Sequence, residues 1–253
     1  MAMRDVAVID ARIRELALNL RLGGARIVST YKEIELTDRG EYVLALLQTL
    51  WDERVRDRVE RNQAMAGLQR TKTLANFDTA CLELPHGLEL SWLTECRFVE
   101  AKQNLILLGH PGTGKTHFAT ALGLEACARG YKVLFKRMAV LVEELTAAFE
   151  AGQLAKLKRR LEMSDLLVID EWGYLPTNVT GTRLLFELIA DCYERRSLVL
   201  TTNMPIPEWN KIFSDERLLM AMIDRLAHHS YLVKHAGESY RLTHSLMKYP
   251  AKP

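Results

Sequence analysis

The run Gly109-His110-Pro111-Gly112-Thr113-Gly114-Lys115-Thr116 sets glycines, a lysine and a hydroxyl at the spacing Gly-x-x-x-x-Gly-Lys-[Ser/Thr]. The chemistry this pattern suits is the binding of a polyphosphate. Glycines let a loop wrap an anion with its N–H groups pointing inward, and a helix starting at its end adds partial positive charge. On this reading Lys115 reaches the β- and γ-phosphates of ATP and the Thr116 hydroxyl coordinates Mg²⁺, with His117 completing the binding segment. A loop that merely turned would leave Lys115 without a purpose at the start of a helix.

A second group of acids follows. Leu166-Leu167-Val168-Ile169 is apolar and ends in Asp170-Glu171. A strand ending in two carboxylates puts both at the carboxyl edge of a sheet, facing the phosphates. Asp170 then holds Mg²⁺ through water, and Glu171 polarises the attacking water. Further on, Ser197–Thr202 ends in Asn203, an amide placed to orient that water or meet the γ-phosphate. Arg217 and Arg225 lie on a helical pattern beyond it, each a surface arginine or a finger for ATP on a neighbouring subunit.

These residues need a sheet edge to bring them together. From residue 104 short apolar runs alternate with amphipathic ones. Strands are expected at Asn104–Leu108, Lys132–Phe135, Leu166–Ile169, Ser197–Thr202 and Tyr231–Lys234, and helices at Gly114–Arg129, Met138–Ala151, Gln153–Met163 and Gly181–Arg195. Strands apolar on both sides belong in a parallel sheet covered by helices, an α/β three-layer sandwich. The first part reads differently. Ile9, Ile13, Leu16 and Leu20 mark one helix face, closed by Gly23-Gly24. Asp38 and Glu41 have a capping-pair spacing ahead of a second helix with Val43, Leu46, Leu47, Leu50 and Val55. The expected division is a small α-helical domain at 1–68 and a nucleotide-binding domain at 69–253. Residues 69–103 would be an irregular connection with one helical stretch near Leu88–Cys96.

The chain has 253 residues, 48% hydrophobic and 26% charged, with a formal net charge of +2. That is ordinary for a globular protein and decides nothing about nucleic acid. Its apolar runs are too short to span a bilayer, and its N-terminus carries acids where a secretory signal would be unbroken and apolar. Cys81, Cys96, Cys127 and Cys192 are widely separated and read as buried small hydrophobes. A cytoplasmic location without membrane contact is expected.

With these residues in place the chain resembles the IstB family of transposition helper ATPases, and more distantly DnaC-type helicase loaders. The resemblance rests on NLILLGHPGTGKTHFATALG, DLLVIDEWGYLP, YERRSLVLTTNMPIPEW, MIDRLAHHS and GESYRLTHS, with KTLANFD near the amino-terminal helices. It implies an AAA+ fold in which Gly109 to Thr116 is Walker A and Asp170 with Glu171 is Walker B. Asn203 would be sensor 1, and Arg225, preferred over Arg217, the arginine finger. It also implies nucleotide-dependent self-association on duplex DNA, remodelling of that DNA, and recruitment of an IstA-type transposase. The residues after Arg225 leave no space for a full helical lid, so a sensor 2 arginine is expected to be missing or supplied otherwise. Arg241, in a strand-like segment, is not given that role, and Trp172 has no explanation from sequence.

DNA contact needs Lys and Arg along one surface. The candidates are Lys132, Lys136 and Arg137; Lys156, Lys158, Arg159 and Arg160; and Arg54, Arg56, Arg58 and Arg61. Without interleaved aromatics, phosphate contact is favoured over base stacking. The rival readings are a DnaC-like helicase loader on single-stranded DNA, a small-molecule kinase and a non-hydrolysing scaffold. The two acids and Asn203 argue against the kinase, and Glu171 against the scaffold.

Overall fold

The computed structural model describes residues 6–19, 24–34 and 39–243. The chain folds as two compact units, residues 1–60 and 61–253.

The first unit is helical: α1 (Val6–Asn19), α2 (Gly24–Glu33) and most of α3 (Arg39–Ala66). Gly24 therefore opens a helix that the residue pattern did not reveal. Leu20, Gly23 and the expected cap Asp38 lie outside the described residues. Within α3, Asp52 accepts a hydrogen bond from Gln48 Nε2 at 2.9 Å.

The second unit begins with the end of α3, two single-turn 3₁₀ helices at Leu74–Asn76 and Thr79–Cys81, and a two-residue strand β1 (Leu82–Glu83). Then follow α4 (Leu90–Thr94), α5 (Arg97–Glu100), β2 (Asn104–Gly109), α6 (Lys115–Ala128), β3 (Val133–Arg137), α7 (Met138–Glu150) and α8 (Leu154–Glu162). The chain continues through β4 (Leu166–Asp170), α9 (Val179–Cys192), β5 (Ser197–Thr202), α10 (Glu216–His228), β6 (Ser230–His235) and α11 (Tyr240–Thr243). The strand order is β1-β6-β2-β5-β4-β3, with every pairing parallel except β1 on β6.

Alternation along the strands sends side chains to two separate cores. Leu105, Leu107, Leu166 and Val168 face Phe118 and Leu122 of α6 together with Leu93 and Phe98. Ile106, Leu167 and Ile169 face α7, α8, α9 and α10 through Leu141, Leu161, Leu185 and Met222. Both faces being covered, the strands read as continuous apolar runs, as a buried parallel sheet requires. Cys96, Cys127 and Cys192 are buried free thiols, and burial pushes Cys96 and Cys192 up to about 12. Cys81 departs from the expectation: it is half-buried, at the end of a 3₁₀ turn. Among the described residues no helix is long and apolar enough to cross a membrane.

At the end of β6, His235 is 3% exposed. Its ring sits edge-on to Phe77 and Phe118, with centroids 6.1 and 5.8 Å away. Nδ1 is 3.2 Å from the Thr113 carbonyl, while Nε2 is buried without a partner, the arrangement of a neutral imidazole donating from Nδ1. Burial draws its pKa down to about 4, Lys115 adding to the effect and the Thr113 bond opposing it. Between the ordinary histidine value and about 4 the unfolded chain therefore binds the extra proton. The contribution is complete above the ordinary value and is lost as pH falls through this window, on the order of 3 kcal/mol. Melting temperature measured from pH 7 to pH 4.5 should fall more steeply for the wild type than for His235→Asn; parallel curves would disprove the linkage.

Candidate phosphate site

β2 is central in the sheet and runs directly into the glycine-rich loop, and α6 leaves it at Lys115. Gly112 and Gly114 both have φ of +88°, a region that side chains disfavour. Space is as tight as dihedral angle. A Cβ at Gly112 would lie 2.0 Å from Ser239 Oγ, and one at Gly114 would lie 2.8 Å from Phe77 Cε2. The loop is thus narrow because two other segments press on it. The His117 ring, two residues into α6, meets the Thr73 carbonyl at 2.9 Å.

Lys115 Nζ donates to the carbonyls of Gly109 and His110, each at 2.7 Å, which holds the ammonium at the mouth of the loop. Burial lowers its pKa to about 8, Asp170 opposing the shift and the Arg241 charge adding to it. Thr116 Oγ1 donates to Asp170 Oδ1 at 2.8 Å. This single bond joins the start of α6 to the tip of β4. A hydroxyl and a carboxylate are hard oxygen donors of the kind Mg²⁺ takes, and Mg²⁺ usually keeps waters and phosphate oxygens for its remaining positions.

β5 contributes a residue that sequence patterns do not single out. Thr201 Oγ1 donates to the same Asp170 Oδ1 at 2.5 Å and accepts from the Glu171 N–H at 3.0 Å. The hydroxyl therefore fixes both acids. The signal for it was present in Thr201-Thr202 at a strand end, but threonine in a strand is ordinary and nothing in the sequence marked it. Asn203, the next residue but one, is exposed just beyond β5.

Glu171 has φ of +61°, rare for a residue with a side chain and typical of functional sites. The turn reverses the chain at the end of β4, so that Glu171 is exposed and Trp172 fully buried. Here Trp172 acquires a reason. Its ring centroid lies 5.6 Å from those of Trp209 and Phe213, and its backbone N–H donates to the Thr201 carbonyl at 2.8 Å. An aromatic anchor immediately after the acid holds the strained residue in place.

Arg225, on α10, donates from Nη1 to the Ala221 carbonyl at 2.8 Å and lies over the Phe186 ring at 4.9 Å. Arg217, the competitor, is exposed on the first turn of the same helix. Among the basic candidates, Lys132, Arg137, Lys156, Arg159 and Arg160 are exposed. Lys136 is paired with Glu144 at 2.6 Å, and Lys158 with Glu187 at 2.9 Å and Asp191 at 3.0 Å. Those two ammonium groups serve the fold. The expectation of a strand-like segment at Ser239 to Leu242 is corrected: Tyr240–Thr243 is a short helix, with the Tyr240 N–H bonded to the Gly112 carbonyl at 3.1 Å. Packing against the loop decides this, and local alternation did not reveal it.

The strand order with a phosphate loop after the central strand, and two acids at the tip of the strand two places away, defines an AAA+ P-loop ATPase. A model of the IstB-like ATP binding proteins matches residues 24–248, and the chain belongs to that family. It is 34% identical over 243 residues to the insertion sequence IS21 putative ATP-binding protein of Pseudomonas aeruginosa, covering 95% of this chain and 89% of that one. It is 37% identical over 202 residues to the IS5376 putative ATP-binding protein of Geobacillus stearothermophilus, covering 80% of each. Its fold is similar to that of the DnaC helicase loader, with a TM-score of 0.50, 21% identity, and 66% of this chain and 99% of that one covered.

Because Thr201 holds Asp170 and the Glu171 backbone together, Thr201→Val should lower the ATP hydrolysis rate. A lost hydrogen bond to a charged group corresponds to roughly ten- to a hundredfold. Nucleotide affinity should change less. Steady-state turnover and equilibrium nucleotide binding separate the two, and an unaltered turnover number would remove Thr201 from the machinery.

Proposed function

We propose that this protein is an ATP-switched helper of insertion-sequence transposition, assembling on duplex DNA, deforming it and recruiting a transposase. The observation that carries the ATP-dependent part is the Thr116–Asp170 bond beneath Lys115, with Glu171 exposed beside it. Family membership and the insertion-sequence origin of its relatives support the transposition part.

In this reading Gly109 to Thr116, with His117, bind the triphosphate, and Lys115 faces the β- and γ-phosphates. Mg²⁺, held by Thr116 and through water by Asp170, would supply charge neutralisation on the phosphate oxygens. Glu171 orients and polarises the attacking water from an exposed turn, and Asn203, just beyond β5, helps to orient that water or meets the γ-phosphate. Arg225 rests on the α9–α10 pair of its own subunit, and its role is to complete charge around ATP bound by a neighbour. That arrangement makes self-association depend on nucleotide. Residues 1–68 would form the separate amino-terminal domain, and the ATPase part would occupy 69–253. The exposed Lys156, Arg159 and Arg160 of α8, with Lys132 and Arg137, supply phosphate contacts without reading bases.

Three substitutions test the ATP cycle. Lys115→Ala should lose nucleotide binding and DNA association together. Glu171→Gln should bind ATP and accumulate in the DNA-bound assembly. Arg225→Ala should lose hydrolysis while keeping most nucleotide affinity, because its defect lies across the subunit boundary. Steady-state ATP turnover reads hydrolysis, nucleotide titration reads affinity, and filter binding with electron microscopy on duplex DNA reads assembly. Full hydrolysis and DNA binding by Lys115→Ala would sink the reading.

For the DNA surface, reversing charge at Lys156 and Arg159 should weaken duplex binding. It should also flatten the dependence of log K on log salt by about 0.9 for each phosphate no longer neutralised. An unchanged slope removes α8 from the interface. A preference for single strands over duplex in the same titration would favour the helicase-loader alternative.

A further inference from the structure

Beside Glu171 lies a groove of about 210 Å³, between the start of α7 and the loop that follows β4; Met138, Val142, Glu143, Leu175 and Pro176 line it together with Glu171 itself. The loop is pinned. Its Gly173 N–H donates to Met138 Sδ at 3.1 Å, its Thr177 N–H to the Ile212 carbonyl at 3.0 Å, and Asn178 Oδ1 accepts from the Gly181 N–H at 2.7 Å. Tyr174 and Leu175 on its wall are nonetheless 65 and 55% exposed, and Val179 just past it is 63% exposed. Apolar side chains held in water by a fixed backbone mark a surface suited to a protein partner.

The groove is also acidic. Glu143 is exposed on it and, among the described residues, forms no ion pair, whereas the adjoining Glu144 is neutralised by Lys136. A complementary surface therefore sets a cation next to an apolar side chain. This chain carries that combination on α10. Arg217 and Met220, three positions apart and so on one face, are both exposed, and among the described residues Arg217 likewise forms no ion pair. The two features lie on opposite flanks of one layer of helices, with α9 between them. On one side Gly181 packs so closely on α7 that a Cβ there would lie 2.9 Å from Val142 Cγ1. On the other, Thr182 Oγ1 is 3.3 Å from Ser214 Oγ, and Phe186 lies under Arg225. A groove on one flank and its complement on the other join copies head to tail, which closes a ring or winds a spiral.

Resting on the nucleotide-dependent assembly read above, we propose that Arg217 and Met220 of one copy dock in the groove of the next, the guanidinium pairing with Glu143 and the methionine covering Leu175. Arg217 precedes Arg225 by eight residues, roughly 12 Å along α10. One helix thus presents two arginines to the neighbour, Arg225 to its ATP and Arg217 to its groove. Glu171 lines the same groove, so docking also closes over the hydrolytic acid and couples assembly to turnover.

The test is the assembly state of the full chain with a non-hydrolysable ATP analogue, followed by analytical ultracentrifugation over a concentration series. Wild type, Glu143→Arg, Arg217→Glu and the double exchange are compared. Each single reversal should weaken self-association roughly tenfold or more, the lower end of couplings between close interfacial charge pairs, and the double exchange should recover most of it. Leu175→Ser, which alters no charge, should weaken it as well. ATP affinity titrated below the assembly concentration should match the wild type in every variant, and so should melting, because the replaced residues are exposed. Wild-type assembly by both single reversals would overturn the proposal, as would a double exchange no better than the worse single variant. Either result leaves the ATPase reading standing, since Lys115→Ala and Arg225→Ala test that separately. A wild-type chain that stays monomeric with the analogue would overturn both the docking and the nucleotide-dependent assembly.

Discussion

Asp170 is the interaction on which the site is built. Its Oδ1 accepts hydroxyl bonds from Thr116 at the start of α6 and from Thr201 on β5, so one carboxylate oxygen ties a helix and two strands together. A buried carboxylate is expensive unless its lone pairs are taken, and Asp170 is 3% exposed. These hydroxyls meet that need, and in doing so they set the distance between the phosphate loop and the acids. The parallel register of β4 on β5, pairing Ile169 with Leu200, brings Thr201 alongside Asp170. A one-residue slip would turn Thr201 to the opposite face and break the site.

The second constraint is the turn at Glu171. A left-handed conformation at a residue with a side chain costs of order 1–3 kcal/mol, and it persists only where the surroundings over-determine it. Here Trp172 supplies the determination, buried against Trp209 and Phe213 with its backbone N–H bonded to β5. The bulky residue that follows the acids is thus a wedge. It fixes where the acid can point, and it does so from the apolar core on the α7–α10 face.

The basic residues of α8 and β3 divide into two sets. Lys136 and Lys158 are neutralised by nearby acids, while Lys156, Arg159 and Arg160 are left facing solvent. Basic residues tallied along the sequence all carry equal weight. Position on the helix decides which of them has an acid within reach, because Leu154 and Leu157 pack against the core and rotate the intervening residues outward.

Much of this molecule was legible in its sequence, because local rules govern the parts concerned. The phosphate loop, the two acids, the five parallel strands and the main helices after residue 104 follow from residue type, spacing and apolar periodicity, which need no knowledge of distant contacts. The two-residue edge strand at Leu82–Glu83 escaped that reading because two residues carry no period. The helix at Gly24 escaped because a glycine pair reads locally as a stop. Thr201 and the helical turn at Tyr240 depend on partners 31 and 128 positions away, Asp170 and Gly112, and no local pattern encodes them. The sequence by itself determined which groups could do the chemistry. Only the tertiary structure decided which of them meet, since hydroxyl, carboxylate and ammonium act through distances that strand register and the packing of remote segments impose.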